Sequence, residues 1–185
     1  PVAGTGVKRG GHDVTGDLDS AAGAAVCFSP RAMGRGAVSD VPWRYAICNE
    51  LFVGWPLGRV ASFAGSLGYE ALELAPYTLC DDVAHLTAEA VRRIRAEVEA
   101  GGLPIVGLHW LLAHTEGLHL NNPDPAVRQR TADYLLREVD LCADLGGSVL
   151  VLGSPAQRNP PDGVSAADAW RWTADTLRNC AERAE

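Results

Sequence analysis

Residues 141–158 read LCADLGGSVLVLGSPAQR, and the fold turns on how this stretch is divided. Cys142 and Leu145 complete a helical stripe that runs back through Val139 and Leu135, and Gly146-Gly147 supplies the flexible residues that end helices. An apolar β-branched run, SVLVLGSP (148–155), follows at once and gives way to a polar loop at Gly153 and Ser154. A helix feeding a buried strand that opens into a polar loop is one unit of a parallel α/β sheet.

The same unit recurs outward from this stretch. RYAICNELF (44–52) reads as a strand, and Pro56 then opens a helix with Leu57, Val60, Ala64 and Leu67 on one face. YEALELA (69–75) is a second strand. It precedes a helix capped by Thr87, with Val91, Ile94 and Val98 at helical spacing and Gly101 at its end. LPIVGLHW (103–110) is a third strand, followed by a loop rich in Pro, Asn and His; Asp124-Pro125 opens the helix that ends at 145. Ser165 begins a fourth helix whose Trp170, Ala174, Leu177 and Ala181 are expected to face inward. Four βα units in series predict a parallel sheet with right-handed crossovers. Two architectures use such repeats. Residues 43–185 suffice for a doubly wound open sheet, whereas an eight-unit barrel needs about 250 residues. The dinucleotide fingerprint of the open sheet is missing, however, because CNELFVGWPL follows the first strand where Gly-x-Gly-x-x-Gly would stand.

Residues 1–42 have a different character. The first 40 hold 8 of the 20 glycines and follow no period of 2 or 3.6, so a disordered or low-complexity N-terminal extension is expected there, ahead of a domain over 43–185. GTGVKRGG (4–11) lacks P-loop spacing and a preceding strand. Pro1 in place of an initiator Met, and an end at Glu185 inside a helical pattern, suggest cut termini.

Composition narrows the function classes. A net charge of -7 argues against a nucleic-acid partner held through phosphates, and no stretch nears the roughly 20 apolar residues of a membrane span. A cytoplasmic location and a small-molecule ligand are expected. The five cysteines are far apart with no Cys-x-x-Cys pair, and are expected to be reduced and mostly buried. Arg92, Arg93 and Arg95 beside Glu89, Glu97 and Glu99 form a solvated helix face with i to i+4 pairs.

In either architecture ligands bind beyond the C-terminal ends of the parallel strands. The residues there are Asn49 and Glu50, Glu73, His109 and Trp110, and Ser154 with Arg158. Glu73, between two leucines, is costly to bury unless paired or liganded; a structural ion pair with an arginine is an equal alternative. His109 suits a substrate hydroxyl or a metal, against a histidine satisfied by a backbone carbonyl. Trp110 would wall a pocket, its face matched to the C–H face of a sugar. Arg158 could hold an anionic or polyhydroxyl ligand, against a simply solvated loop arginine. His114, Glu116 and His119 match no compact zinc motif and read as an exposed loop.

At RYAICNELF, YEALELAPYTL, GLHWLL and LCADLGGSVLVLGSPAQR the chain resembles the sugar phosphate isomerase/epimerase group of xylose-isomerase-like barrels, over residues 44–185. The resemblance implies the first four units of a (β/α)8 barrel of TIM type. It also implies metal-dependent proton transfer beside the carbonyl of a sugar, sugar phosphate or small keto acid, with a divalent ion (Mn, Mg, Co or Zn) in the full-length protein. The family's ligands and catalytic residues would all follow Glu185, so this chain would hold no metal and be inactive alone. It would contribute a substrate-binding wall of Glu73, His109, Trp110, Ser154 and Arg158. A truncated or degenerate carbohydrate-binding domain is the alternative, with an exposed strand edge that favours homo-oligomers. An apurinic-endonuclease branch of the superfamily would place zinc on His109, but also on a histidine where this chain has Gly153 and Ser154. That loss and the acidic charge count against it.

Overall fold

Five strands lie side by side in chain order: β1 (Val26–Phe28), β2 (Arg44–Cys48), β3 (Ala71–Leu74), β4 (Ile105–His109) and β5 (Val149–Val151). They belong to a computed structural model that describes residues 26–28 and 43–185. The expected extension over 1–42 otherwise lies outside the described residues. β1 runs antiparallel to β2, while β2 through β5 are parallel. Helices α1 (Leu57–Ser66), α2 (Ala88–Ala100) and α3 (Pro125–Asp144) form the crossovers; α4 (Pro155–Arg158) and α5 (Ala166–Ala184) follow β5.

The strand order settles the choice between the two architectures. A doubly wound sheet reverses its order partway and carries helices on both faces. Here the order never reverses, and α1, α2 and α3 all pack on one face, where Val60, Ala64, Val91, Val98, Leu135 and Cys142 meet Leu72, Leu74, Ile105 and Leu108. The opposite face carries a separate, smaller cluster of strand residues alone, Ala46, Ala71 and Val106 with Val149 against them. Sequential parallel strands with helices outside and small side chains inside are the geometry of a (β/α) barrel wall. Each fully buried leucine of the outer cluster contributes on the order of 2 kcal/mol.

Local chemistry explains most boundaries. The side chains of Thr87 and Asp124 accept from Ala90 N–H and Ala126 N–H, capping α2 and α3, and Pro125 occupies the first turn of α3. β2 stops at Cys48 instead of reaching residue 52, because Asn49 turns the chain into a 3-10 turn (Asn49–Leu51). Its Oδ1 accepts from Ala75 N–H at 2.9 Å and its Nδ2 donates to Thr78 Oγ1 at 2.8 Å, tying the end of β2 to the loop after β3. Gly107 on β4 faces the Val149 carbonyl so closely that a Cβ there would collide with it.

The inward face expected of α5 is displaced by one residue. Trp170 is 78% exposed and Leu177 is also exposed, while Ala169 and Thr176 are buried and Thr173 donates to Asn121 Oδ1 at 3.0 Å. The 169/173/176/180 stripe has the same period as the expected one, so apolar spacing alone could not select between them. Leu67, expected on the buried face of α1, is exposed in the cap after that helix. Cys48 and Cys142 are buried, Cys80 and Cys180 half-buried, and all four are free thiols. Among the described residues no helix is long and apolar enough to cross a membrane.

Candidate functional site

A bulge aims the central carboxylate. Between β3 and β4 the register pairs Leu72 with Ile105 but Glu73 with Gly107, leaving Val106 as an extra residue on β4. Such bulges bend a strand locally and re-aim the side chains beside them. Glu73 and His109 are thereby brought together, with Glu73 Oε2 3.4 Å from His109 Nδ1. On the other side of the ring, His109 Nε2 lies 3.9 Å from Glu50 Oε1. One imidazole thus stands between two carboxylates delivered by the ends of β2 and β3.

The centre of this cluster is buried and under-satisfied, while Glu50 and His109 are half-buried. Glu73 has no solvent exposure, and both its oxygens, like His109 Nδ1, lack a hydrogen-bond partner. Native proteins leave few buried polar atoms in that condition, and those few concentrate where function uses them. Burial, and secondarily the charge of Glu50, pushes Glu73 up to about 7, so it exchanges its proton near neutrality. Among the described residues the neighbour of Glu73 at ion-pair distance is His109, in place of the arginine weighed as its structural partner.

Above the carboxylates stand three rings. Tyr77, in the 3-10 turn after β3, donates its hydroxyl to Glu50 Oε2 at 3.0 Å, and its ring centroid lies 5.8 Å from Trp110 and 4.3 Å from His114. Trp110 and His114 are themselves 5.8 Å apart. Trp110, Leu112 and His114 all adopt left-handed backbone, with φ of 58°, 63° and 59°. Such conformations are uncommon outside glycine and cluster at ligand sites. Glu50 and Tyr77 also border a cavity of about 470 Å³ that opens toward Trp55 and Ile94.

Three of the five expected site residues therefore converge: Glu73, His109 and Trp110. Ser154 is buried and donates its hydroxyl to the Leu111 carbonyl, bracing the loop after β4. Arg158 is exposed, and its carbonyl accepts from Asn121 Nδ2. Gly153 lies against the Trp110 ring, where a Cβ would sit 3.5 Å from Cδ1. His119 is not part of an exposed loop as expected: its Nδ1 accepts from Asn121 N–H at 3.0 Å and its own N–H donates to Thr131 Oγ1. Tyr77 was not among the expected site residues, and His114 was expected only as part of an exposed loop, because stacking between loops leaves no periodic trace; His114 is exposed as expected, yet its ring joins the cluster. The ELAPYT context, a ring just past a strand end, was the available signal.

A family model described as xylose isomerase-like TIM barrel matches residues 61–185. Among solved structures, D-psicose 3-epimerase with D-tagatose from Clostridium cellulolyticum H10 superimposes with a TM-score of 0.53 at 18% identity, covering 69% of this chain and 42% of that one. A D-psicose 3-epimerase in the presence of D-fructose gives 0.57 at 17% identity, covering 75% and 47%. The 3-keto-D-glucoside 4-epimerase of E. coli gives 0.52 at 13% identity, covering 74% and 50%. At these identities the likeness is one of fold, and the chain spans half or less of each of these proteins. No curated protein sequence matches.

Proposed function

The chain belongs to the xylose isomerase-like TIM barrel family, and from that premise we propose that it forms the sugar-facing wall of an isomerase or epimerase acting by proton transfer next to a carbonyl. The observation that carries this reading is the Glu50–His109–Glu73 cluster beneath the Tyr77, Trp110 and His114 rings, at the strand ends where barrels of this type bind ligands. Sugars present C–H faces that stack on aromatic rings, and hydroxyls that pair with buried carboxylates and imidazoles. Glu73 exchanges its proton near neutrality, so it can donate to one sugar oxygen or accept from another, and His109 between the carboxylates can hold or pass that proton. Trp110 and His114 would orient the ring and exclude water. Ser154 and Arg158 enter as braces of the loop that carries Trp110.

A divalent ion belongs to the reading for the whole protein, where it would polarise the carbonyl. The described residues do not fit one: no three His, Cys, Asp or Glu side chains among them are arranged to hold a metal ion. Every role assigned to this chain is accordingly one of its own carboxylates, imidazoles and rings. The ketohexoses named with the structural relatives, D-tagatose and D-fructose, are the first probes. Titration followed by Trp110 indole and His109 NMR signals should show saturable binding that weakens at least tenfold in Glu73→Gln and in Trp110→Ala. Equal binding by wild type and both variants would overturn the reading. For the protein in its natural form, epimerase or isomerase activity unchanged by exhaustive chelation would overturn the metal dependence.

A further inference from the structure

Behind the aromatic wall lies a carboxyl group that the sugar-facing chemistry does not use. Glu138, on the core side of α3, is 1% exposed. Its Oε1 accepts from Leu112 N–H at 3.3 Å, and its Oε2 meets no partner. Leu112 is the middle one of the three left-handed residues 110, 112 and 114, and the other two carry the rings that face the site. Non-glycine residues hold that backbone region only when the surroundings impose it. Leu111 N–H is fixed to the Val151 carbonyl and the Leu112 carbonyl accepts from Thr115 Oγ1. The peptide N–H at the centre is held by Glu138 alone, from another element 26 residues away.

The titratable groups facing Glu138 are Tyr134 one turn earlier on α3, Cys80 in the loop after β3, and Cys180 on α5, with Asp82 on the far side of Tyr134. None is a cation. Burial pushes Glu138 up to about 8, and the Leu112 amide counters this only in part.

We infer that Glu138 is a positioning residue for the aromatic wall: as the neutral acid it anchors Leu112 and so sets Trp110 and His114 against Tyr77, and its ionisation favours opening of the 110–114 segment. Linkage fixes the sign. An open segment lets Glu138 ionise at its ordinary value near 4.5, whereas the closed one keeps the proton up to about 8. The opening equilibrium therefore rises about tenfold per pH unit between those values and is flat above them.

The direct test is hydrogen exchange at the Leu112 amide of the whole chain between pH 5 and 9, corrected for intrinsic base catalysis, together with the pH course of the Trp110 indole signal. Wild type should show opening that climbs to pH 8 and then levels, while Glu138→Gln, neutral at every pH, should show protection independent of pH. The same climb in Glu138→Gln, or no climb in wild type, overturns the inference. If Glu138→Leu folds, it should lose Leu112 protection at every pH; retained protection would likewise overturn it. These readouts need no ligand, so they stand apart from the sugar reading on which the functional meaning of the wall rests. Wild type that binds no ketohexose yet shows this exchange pattern sinks that reading and supports the role of Glu138.

Discussion

Glu73 Oε2 and His109 Nδ1 stand 3.4 Å apart at the ends of neighbouring strands, in contact but without hydrogen-bond geometry. A carboxyl held up to about 7 in the folded chain and near 4.5 when unfolded binds more protons folded than unfolded between those values. Stability is therefore fully present below pH 4.5 and falls as pH rises toward 7, by on the order of 3 kcal/mol for this group. Urea unfolding of wild type against Glu73→Gln from pH 4.5 to 8 should show the difference between them shift by this amount in favour of the variant. Glu138 contributes to the wild-type slope over an overlapping range, so the difference between the two proteins is the quantity to read. A difference constant with pH would show that Glu73 is not held protonated.

Glu50 supplies the second cause of the Glu73 shift, after burial. Glu50→Gln removes a like charge from the far side of His109, so Glu73 should titrate lower than in wild type and still above the ordinary 4.5. Carboxyl carbon NMR of selectively labelled protein reads this directly. An unchanged titration would mean that the two carboxylates do not sense each other through the imidazole.

Gly107 allows β4 and β5 to meet. Because a Cβ would collide with the Val149 carbonyl, Gly107→Ala must part β5 from β4, the strand that carries His109 and leads into the Trp110 loop. Overpacking against backbone costs about 1–3 kcal/mol or more, since backbone cannot rotate away. Thermal unfolding should register the loss, and His109 should shift in NMR spectra; a variant as stable as wild type would show that the close approach is readily relieved.

Much of this fold was legible because it is periodic. The stripes Val91/Ile94/Val98 and Leu135/Val139/Cys142, the caps Thr87 and Asp124, and the apolar runs at 105–109 and 149–151 follow local rules and appear where those rules place them. The choice of barrel over open sheet was not periodic information: it rests on strand order and helix side, and in the sequence only the absence of a glycine fingerprint and the likeness of four strand-end stretches to xylose-isomerase-like barrels pointed to it. At the site, Glu73, His109 and Trp110 were accessible because strand-end position is readable once strands are placed. Tyr77, His114 and Glu138 were not. Each acts across loops or from an adjacent helix, and a glutamate in REVDLCADLG looks like any solvated helix residue until the fold buries it.

Asn49 is where strand placement becomes site geometry. Buried at the end of β2, it accepts from Ala75 N–H and donates to Thr78 Oγ1, and so fixes both Glu50, next in sequence, and the turn that presents Tyr77. Asn49→Ala leaves a buried peptide N–H and a hydroxyl without these partners, a loss of about 2–4 kcal/mol. Asn49→Asp keeps the acceptor for Ala75 but sets an acidic group near Glu50 and Glu73, so it should restore part of the stability while raising the titration of Glu73 further. Denaturant unfolding and carboxyl NMR on the two variants separate these effects. If both leave the Tyr77 to Glu50 hydrogen bond and the Glu73 titration unchanged, the side chain at 49 only fills space, and the 3-10 turn positions Glu50 by its backbone alone.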